Sequence, residues 1–442
     1  MGGRENPMDE NQNYFNNMNN MQPVQPPQKE KGSGRGLFFV GLVVGIGVAL
    51  LAVGIGFAGL GIQNAMEQSK ADNTDVKVDE NSALNSYTIA KLQALEETIN
   101  QYFFLHDVPE EDLQNGMFKG LLASLGDPYS EYYTAEELTS MMEQSQGIYY
   151  GIGAYVQLDT NTGLPKISGV IEGSPAEAAD LRANDLIYEV DGTSTYGLNL
   201  TEAVALIKGP EGTNVEITLI REGESDYVSL TLTRQKVESP TVEFRMLEDN
   251  MAYIQVTEFD DVTVDQFAEA LAMARGSDAE GIILDLRGNP GGNLGAVVDM
   301  CNMILPEGMI VYTEDKNGKR DEYKCDGKRE LELPLVVLVD MNSASAAEIM
   351  AGAIKDHGIG TLVGTTTFGK GIVQQIMSFR DGSAVKITVS AYYTPSGNNI
   401  HGIGIEPDVI CEFDGEAYYG SEDHPDNQLE KAKDVLKKEM GK

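Results

Sequence analysis

Hydrophobic and polar positions divide the chain into stretches of different rhythm. The first is an unbroken apolar run, "GLFFVGLVVGIGVALLAVGIGFAGLGI", from Gly36 to Ile62, with no charged residue. It exceeds the roughly 20 residues that carry a helix across a bilayer, and its glycines suit close packing against another helix. Lys29, Lys31 and Arg35 precede it, while Glu67, Asp72 and Asp75 follow. Positive charge stays on the cytoplasmic side, so the N-terminus is expected inside and the remainder outside. The run is longer than the ~7–15 residues of a signal-peptide core, and no A-x-A site follows, which predicts an uncleaved signal anchor over 37–62. Residues 1–36, rich in Asn, Gln, Met and Pro without periodicity, read as a disordered cytoplasmic tail, and 63–83 as a polar linker.

A helical period comes next. Ile89, Leu92, Ile99 and Phe103 trace one stripe; Leu113, Met117, Leu121 and Leu125 trace another, stopped by Gly126. These define a helical region over 84–146. From 147 to 236 the period drops to two, as in Val215, Ile217 and Leu219, then Val228, Leu230 and Leu232. One helix, "LTEAVALIKG", interrupts these strands, with Thr201 placed to cap it. From 237 to 442 strands alternate with helices. "MAYIQVTEF" and "GIILDLR" read as strands, and between them Val264, Phe267, Leu271 and Ala274 trace a helix opened by a Thr263-x-x-Gln266 capping box. "PLVVLVD" is apolar throughout, as a strand buried on both faces must be. "AVKITVSAYY" alternates and reads as half-buried. The expected fold is a mixed α/β core with a mixed β-sheet and flanking helices, an inserted β-rich domain, an N-terminal helical region and one transmembrane helix.

Composition narrows the function. The 442 residues carry 32 Lys and Arg against 69 Asp and Glu, a formal charge of −37. Such a surface repels phosphate backbones, so nucleic acid is not an expected partner. Cys301, Cys325 and Cys411 lie far apart, and no CxxC exists, which argues against a zinc site, a dithiol centre or a disulfide framework. No metal or cofactor is expected.

Three short segments carry chemistry. "SASAAEI" places Ser345 three residues before Glu348, a capping box at the head of a helix ending near Gly358. Ser343 is an equally good cap and a rival nucleophile. A helix start after a buried strand is also where α/β folds place ligands. Free amides there, with the helix dipole, favour negative charge, so the Ala346 N–H is a candidate oxyanion donor. "LDLRGNPGGNLG" reads as strand, glycine turn and helix. It lacks the patterns of phosphate-binding loops, and Gly291 or Gly292 is the candidate second donor.

A nucleophilic serine needs a base. His106 and His424 lie in unrelated regions. His357 stands at the far end of the helix that Ser345 opens, about 18 Å away. Only His401 escapes that arithmetic. Lys370, between Gly369 and Gly371, is the better candidate. About 0.04% of a free lysine is neutral at pH 7, but burial disfavours the ammonium and makes a poised base.

The stretch "GIYYGIGAYV", followed by "SPAEAADLRANDLIYEVDG", resembles a PDZ domain over 147–236. The resemblance implies that the amides of Gly151, Ile152 and Gly153 hold a peptide's C-terminal carboxylate, with Leu200, Val204 and Ile207 lining the groove. The order of this domain, "LDLRGNPGG", "SASAAEI", "GTTTFGKGIVQQ" and "YYTPSGNNIHGIGIEPD" resembles the carboxyl-terminal processing proteases of peptidase family S41, and "GDPYS" also fits. The resemblance implies Ser345 as nucleophile rather than Ser343, Lys370 as general base, and Gln374 as the residue that orients it, with Gln375 facing elsewhere. Where the family more often has Gln after "SGRSI", this chain has Asn398, Asn399, Ile400 and His401, which touches no expected catalytic position. It further implies protein substrates with accessible C-termini and a homodimer formed through the N-terminal helices and "DNQLEKAKDVLKK"; a regulatory protein is a further candidate partner, and the sequence leaves open whether one activates the enzyme. The alternative is a membrane-tethered peptide-binding scaffold with an inert core.

Overall fold

The computed structural model describes residues 79–441. The expected tail, the anchor and most of the linker lie outside them. Among the described residues no helix is long and apolar enough to cross a membrane.

Both expected N-terminal helices form, at Ser86–Tyr102 and Glu110–Ala123, and neither buries a residue. Strand β1 (Glu131–Tyr133) follows, then a helix at Ala135–Gln146 held by a Thr134–Glu137 capping box. The inserted domain begins with β2 (Ile148–Gly151). Its own sheet holds β3 (Ala154–Leu158), β4 (Pro165–Val170), β5 (Leu186–Val190), β6 (Thr193–Ser194), β7 (Asn214–Ile220) and β8 (Val228–Thr233). Strand β9 (Gln235–Glu238) pairs with β2 in a separate two-stranded ribbon. Val215, Ile217 and Leu219 are fully buried, as their alternation requires. The helix Leu200–Ile207 is capped by Asn199, which bonds the Glu202 amide, and not by Thr201, which lies one residue inside.

The core sheet runs β10–β11–β12–β15–β16–β19: β10 (Val242–Met246), β11 (Met251–Val256), β12 (Gly281–Asp285), β15 (Leu335–Val339), β16 (Thr361–Gly364) and β19 (Val409–Ile410). Only the β10–β11 pair is antiparallel, so the sheet is mixed. Alternate side chains serve two layers. Ile254, Leu284, Val337 and Val339 meet the helices Asp261–Gly276, Leu294–Cys301 and Ala346–His357. Tyr253, Ile283, Val336 and Leu338 meet Ala432 and Leu436 of the helix Asn427–Glu439. Gly281 is needed there, since a Cβ would lie 2.8 Å from Leu436. The C-terminal helix thus spends its apolar stripe on its own chain. Arg287 ties it down by pairing with Asp285 at 2.6 Å and Asp426 at 2.8 Å.

The Asp261–Gly276 helix starts differently from expectation. Thr263 accepts the Asp260 amide through its hydroxyl, whereas Gln266 accepts the amides of Thr241 and Val242 and so anchors β10. A second, antiparallel sheet holds β13 (Gly308–Asp315), β14 (Arg320–Cys325), β17 (Ile372–Ser378) and β18 (Ala384–Tyr393). The N-terminal β1 also pairs with β18, a long-range pairing that no local pattern announces.

Candidate active site

The site lies where the Ala346–His357 helix begins and where the turn before β17 returns beside it. Strand β15 ends at Val339 and a tight loop follows. Ser343 is fully buried in that loop; its hydroxyl donates to the Leu286 carbonyl at 2.8 Å and accepts the Asp340 amide at 2.9 Å. It is a structural clasp. Ser345 stands at the helix N-cap with φ 54° and ψ −113°. That conformation is costly for a residue with a Cβ, and such strain collects at functional sites. Its carbonyl accepts the Tyr392 hydroxyl at 3.0 Å.

Glu348, fully buried one turn into the helix, receives four donors. Its Oε2 accepts the amides of Ser345 at 2.9 Å and Lys370 at 2.8 Å. Its Oε1 accepts the Thr367 hydroxyl at 2.6 Å and the Gly369 amide at 2.7 Å. The capping box read from sequence is therefore half of a larger clamp. Its other half lies 19 to 22 residues along the chain, which no local motif records. Gly369 (φ 88°) and Gly371 let this turn press against the segment 400–404; a Cβ on Gly371 would lie 2.6 Å from the His401 amide.

The ammonium of Lys370 lies 4.5 Å from the centre of the Tyr129 ring. Burial lowers the Lys370 pKa, and the nearby Lys386 lowers it further; Asp127, Glu348 and Glu131 oppose this. Tyr129 belongs to the "GDPYS" loop. That loop is fixed to the core by Ser130, whose hydroxyl donates to Asp127 at 2.6 Å and accepts the Thr388 amide at 3.1 Å. Gln374 is half-buried on β17 and Gln375 is exposed. The Gln374 side-chain amide donates to the Thr388 hydroxyl at 3.2 Å rather than joining Lys370. The register shifts between Val373 and Gln374, so Gln374 lies opposite Thr388.

Gly291 packs against the serine: a Cβ there would lie 2.7 Å from that of Ser345 and 2.9 Å from the Ala346 nitrogen. Its φ is 105° and that of Gly292 is 140°, which glycine alone adopts readily. The Gly291 amide donates to Asn289 Oδ1 at 2.8 Å. Gly292 bridges Phe259 in parallel fashion, through Phe259 N–H to Gly291 O and Asn293 N–H to Phe259 O. The amide of Gly292 itself points away from Phe259 in such a bridge. Asn289 is completely buried, also donates to the Val256 carbonyl at 2.8 Å, and fixes the loop. Asn289, Tyr129 and Thr367 are not singled out by the sequence, although each lies inside a quoted segment: "LDLRGNPGG", "GDPYS" and "GTTTFGKGIVQQ".

The histidines lie as their positions predict. His357 bonds the Met309 carbonyl at 2.7 Å at the far helix end, His106 meets Phe103 edge to face, and His424 bonds the Tyr418 carbonyl. His401 is exposed beside the lysine turn. Among the described residues no cluster of three or more His, Cys, Asp or Glu could hold a metal ion.

In the inserted domain, Gly151, Ile152 and Gly153 join β2 to β3, with Ile152 O and Gly153 O already accepting amides of Ala176 and Ile171. Leu200 and Val204 are half-buried on the helix that packs by β3. Ile207 is 4% exposed and belongs to the buried core cluster of the domain, together with Val215 and Leu232, so it lies deeper than Leu200 and Val204.

Comparisons with known proteins agree with this organisation. The family model described as peptidase family S41 matches residues 250–411, a PDZ domain model matches 166–221, and a model of the activating protease CtpB N-terminal domain matches 49–137. The carboxy-terminal processing protease CtpA of Bacillus subtilis is 37% identical over 378 residues, covering 85% of this chain and 77% of that protein. A carboxyl-terminal-processing protease of Synechocystis is 36% identical over 296 residues, 66% of this chain and 69% of that one. Among solved structures, a photosystem II D1 C-terminal processing protease is 30% identical with a TM-score of 0.44, covering 73% of this chain and 92% of that chain.

Proposed function

The chain belongs to peptidase family S41 and is a serine peptidase of the carboxyl-terminal processing type with a PDZ domain, and on that footing we propose that Ser345 is its nucleophile and Lys370 its general base. One observation carries this reading. A single buried carboxylate, Glu348, grips the backbone of both residues. They are thereby fixed side by side on rigid elements, as a nucleophile and its base must be.

The chemistry follows from the arrangement. Ser345 Oγ attacks the peptide carbonyl while neutral Lys370 takes its proton. Negative charge develops on the carbonyl oxygen. The Ala346 N–H, in the helix's first turn where amides lack internal acceptors, holds it together with the Gly292 N–H. Gly292 is preferred over Gly291 because the Gly291 amide is already committed to Asn289. Lys370, now an ammonium, protonates the departing amine. Water then repeats the cycle on the acyl-enzyme. The carbonyl oxygen of Gln374, whose nitrogen is held by Thr388, is the acceptor assigned to the lysine ammonium.

The PDZ domain selects substrates by their free C-termini. Strand β3 ends its sheet, so a peptide can extend that sheet beside Leu200 and Val204 while the amides of residues 151–153 take its carboxylate. Residues 37–62 anchor the chain with the protease outside the cytoplasm. A second copy covers the exposed apolar surface of the N-terminal helical region, which includes Leu95 on the first helix and Phe103 and Phe104 just past its end. The C-terminal helix, occupied with its own sheet, supplies only its polar face.

Incubation of the full-length chain with an unstructured protein such as β-casein tests the assignment. The wild type cleaves it, and Ser345→Ala leaves it intact. Equal cleavage by both removes Ser345 as the nucleophile and leaves the inert-scaffold reading standing beside a contaminant.

A further inference from the structure

The loop "GDPYS" lies in the N-terminal helical region, more than 200 residues before the lysine turn. Yet its Tyr129 ring is the surface on which the Lys370 ammonium rests, 4.5 Å from the ring centre. The ring is not loosely placed. Asp127 accepts the Tyr129 amide at 3.0 Å and the Ser130 hydroxyl at 2.6 Å, and Ser130 in turn accepts the Thr388 amide. Thr388 is also the partner of Gln374. A continuous set of hydrogen bonds therefore fixes the loop to the two strands that follow the lysine.

We propose that Tyr129 is a positioning residue for Lys370: its ring holds the lysine side chain in place beside Ser345, so that the N-terminal helical region acts on the base through this one contact. The proposal rests on Lys370 being the general base and goes beyond that reading, which requires nothing of Tyr129.

The physics is specific to a ring. An aromatic face attracts an ammonium but not a neutral amine. It favours the protonated lysine, against burial and the cation of Lys386, and alongside Asp127, Glu348 and Glu131. His401, exposed beside the turn, acts on Asp127 rather than on the lysine itself. The phenol remains neutral, because burial, then Asp127 and Glu348, push its own pKa up. Removing the ring while keeping the pocket apolar takes away one interaction that the ammonium alone enjoys. The acidic limb of the pH profile, where the base loses its proton, then moves to lower pH. The lysine also loses its support, so kcat falls about tenfold while KM, set by the groove and the PDZ domain, stays put.

The test compares full-length Tyr129→Phe, Tyr129→Leu and Tyr129→Met in pH profiles of peptide cleavage, with thermal melting to confirm folding and Lys370→Ala as a control. The expected result is a wild-type limb in the Phe variant and a limb displaced to lower pH in Leu and Met, with lower kcat and unchanged KM. A wild-type limb in a folded Leu or Met variant overturns the proposal, whatever its kcat. So does a Phe variant displaced like the others, since the hydroxyl would then be the active part. Lys370→Ala separates the two claims: activity there removes the base assignment itself, whereas an inactive control with unmoved limbs removes only Tyr129.

Discussion

Ser345 and Lys370 are joined through one atom: Glu348 Oε2 accepts the amide of the first at 2.9 Å and of the second at 2.8 Å. The carboxylate is fully buried, and its other oxygen takes two more donors. The helix that presents the serine and the turn that presents the lysine are thereby one rigid unit.

Glu348→Gln tests that unit. An amide of the same shape turns an NH2 group towards two of four donors, and each buried donor left unmatched costs on the order of 1–3 kcal/mol. The variant should lose about 2–6 kcal/mol in urea unfolding and lose about 100-fold or more in kcat through misplacement of the pair. Wild-type values in both measurements would show that the clamp is dispensable.

Lys386 offers a test of how the base is tuned. It sits on β18, bonded to Glu131 at 2.8 Å and to the Tyr133 hydroxyl at 2.7 Å. Its positive charge helps burial to lower the Lys370 pKa, whereas Glu131 opposes it. Lys386→Gln removes the repelling cation and leaves Glu131 uncompensated. Both changes favour the Lys370 ammonium, so the acidic limb of the activity profile should move to higher pH. A limb that moves down, or stays, contradicts the assigned electrostatics.

Asp260 makes a prediction about stability. It is 4% exposed at the start of the Asp261–Gly276 helix, and burial, with Glu258 and Asp261 beside it, pushes its carboxyl up to about 8. The folded protein therefore keeps a proton that the unfolded chain, with an ordinary Asp pKa of about 3.9, has released. Stability falls as pH rises between those two values. Asp260→Asn keeps a good N-cap residue and has no charge to desolvate. Its melting temperature should decline less than that of the wild type from pH 5 to pH 8. Parallel curves would show that Asp260 is ionised in the fold.

Much of this site was legible in the sequence because its parts are local. "SASAAEI" fixes a serine at a helix start, and "GNPGG" requires backbone that only glycine adopts; both stand where those patterns place them. The apolar alternation of β7 and the uniform burial of β15 followed from side-chain period alone. What escaped depends on long-range closure. Glu348 looked like a cap, and nothing within one turn tells that its second oxygen serves Thr367 and Gly369. Pairing of β1 with β18 brings Tyr129 to Lys370 across more than 200 residues. Ile207, which the PDZ resemblance groups with Leu200 and Val204, is buried in the domain core while those two are half-buried, a difference in depth that the resemblance alone does not show. Thr201 and Gln266 were misread as caps because a polar residue near a helix start has several backbone groups within reach, and the chain's exact entry angle decides among them.

The central claim is that Lys370 activates Ser345, and labelling by a serine-directed fluorophosphonate tests it most directly. Mass spectrometry should find the label on Ser345 of the full-length wild type. Labelling should rise with pH, and Lys370→Arg, which cannot shed its proton near neutrality, should slow it at least 100-fold with its melting temperature retained. A label on another residue, or an arginine variant labelled as fast as the wild type, would contradict the account.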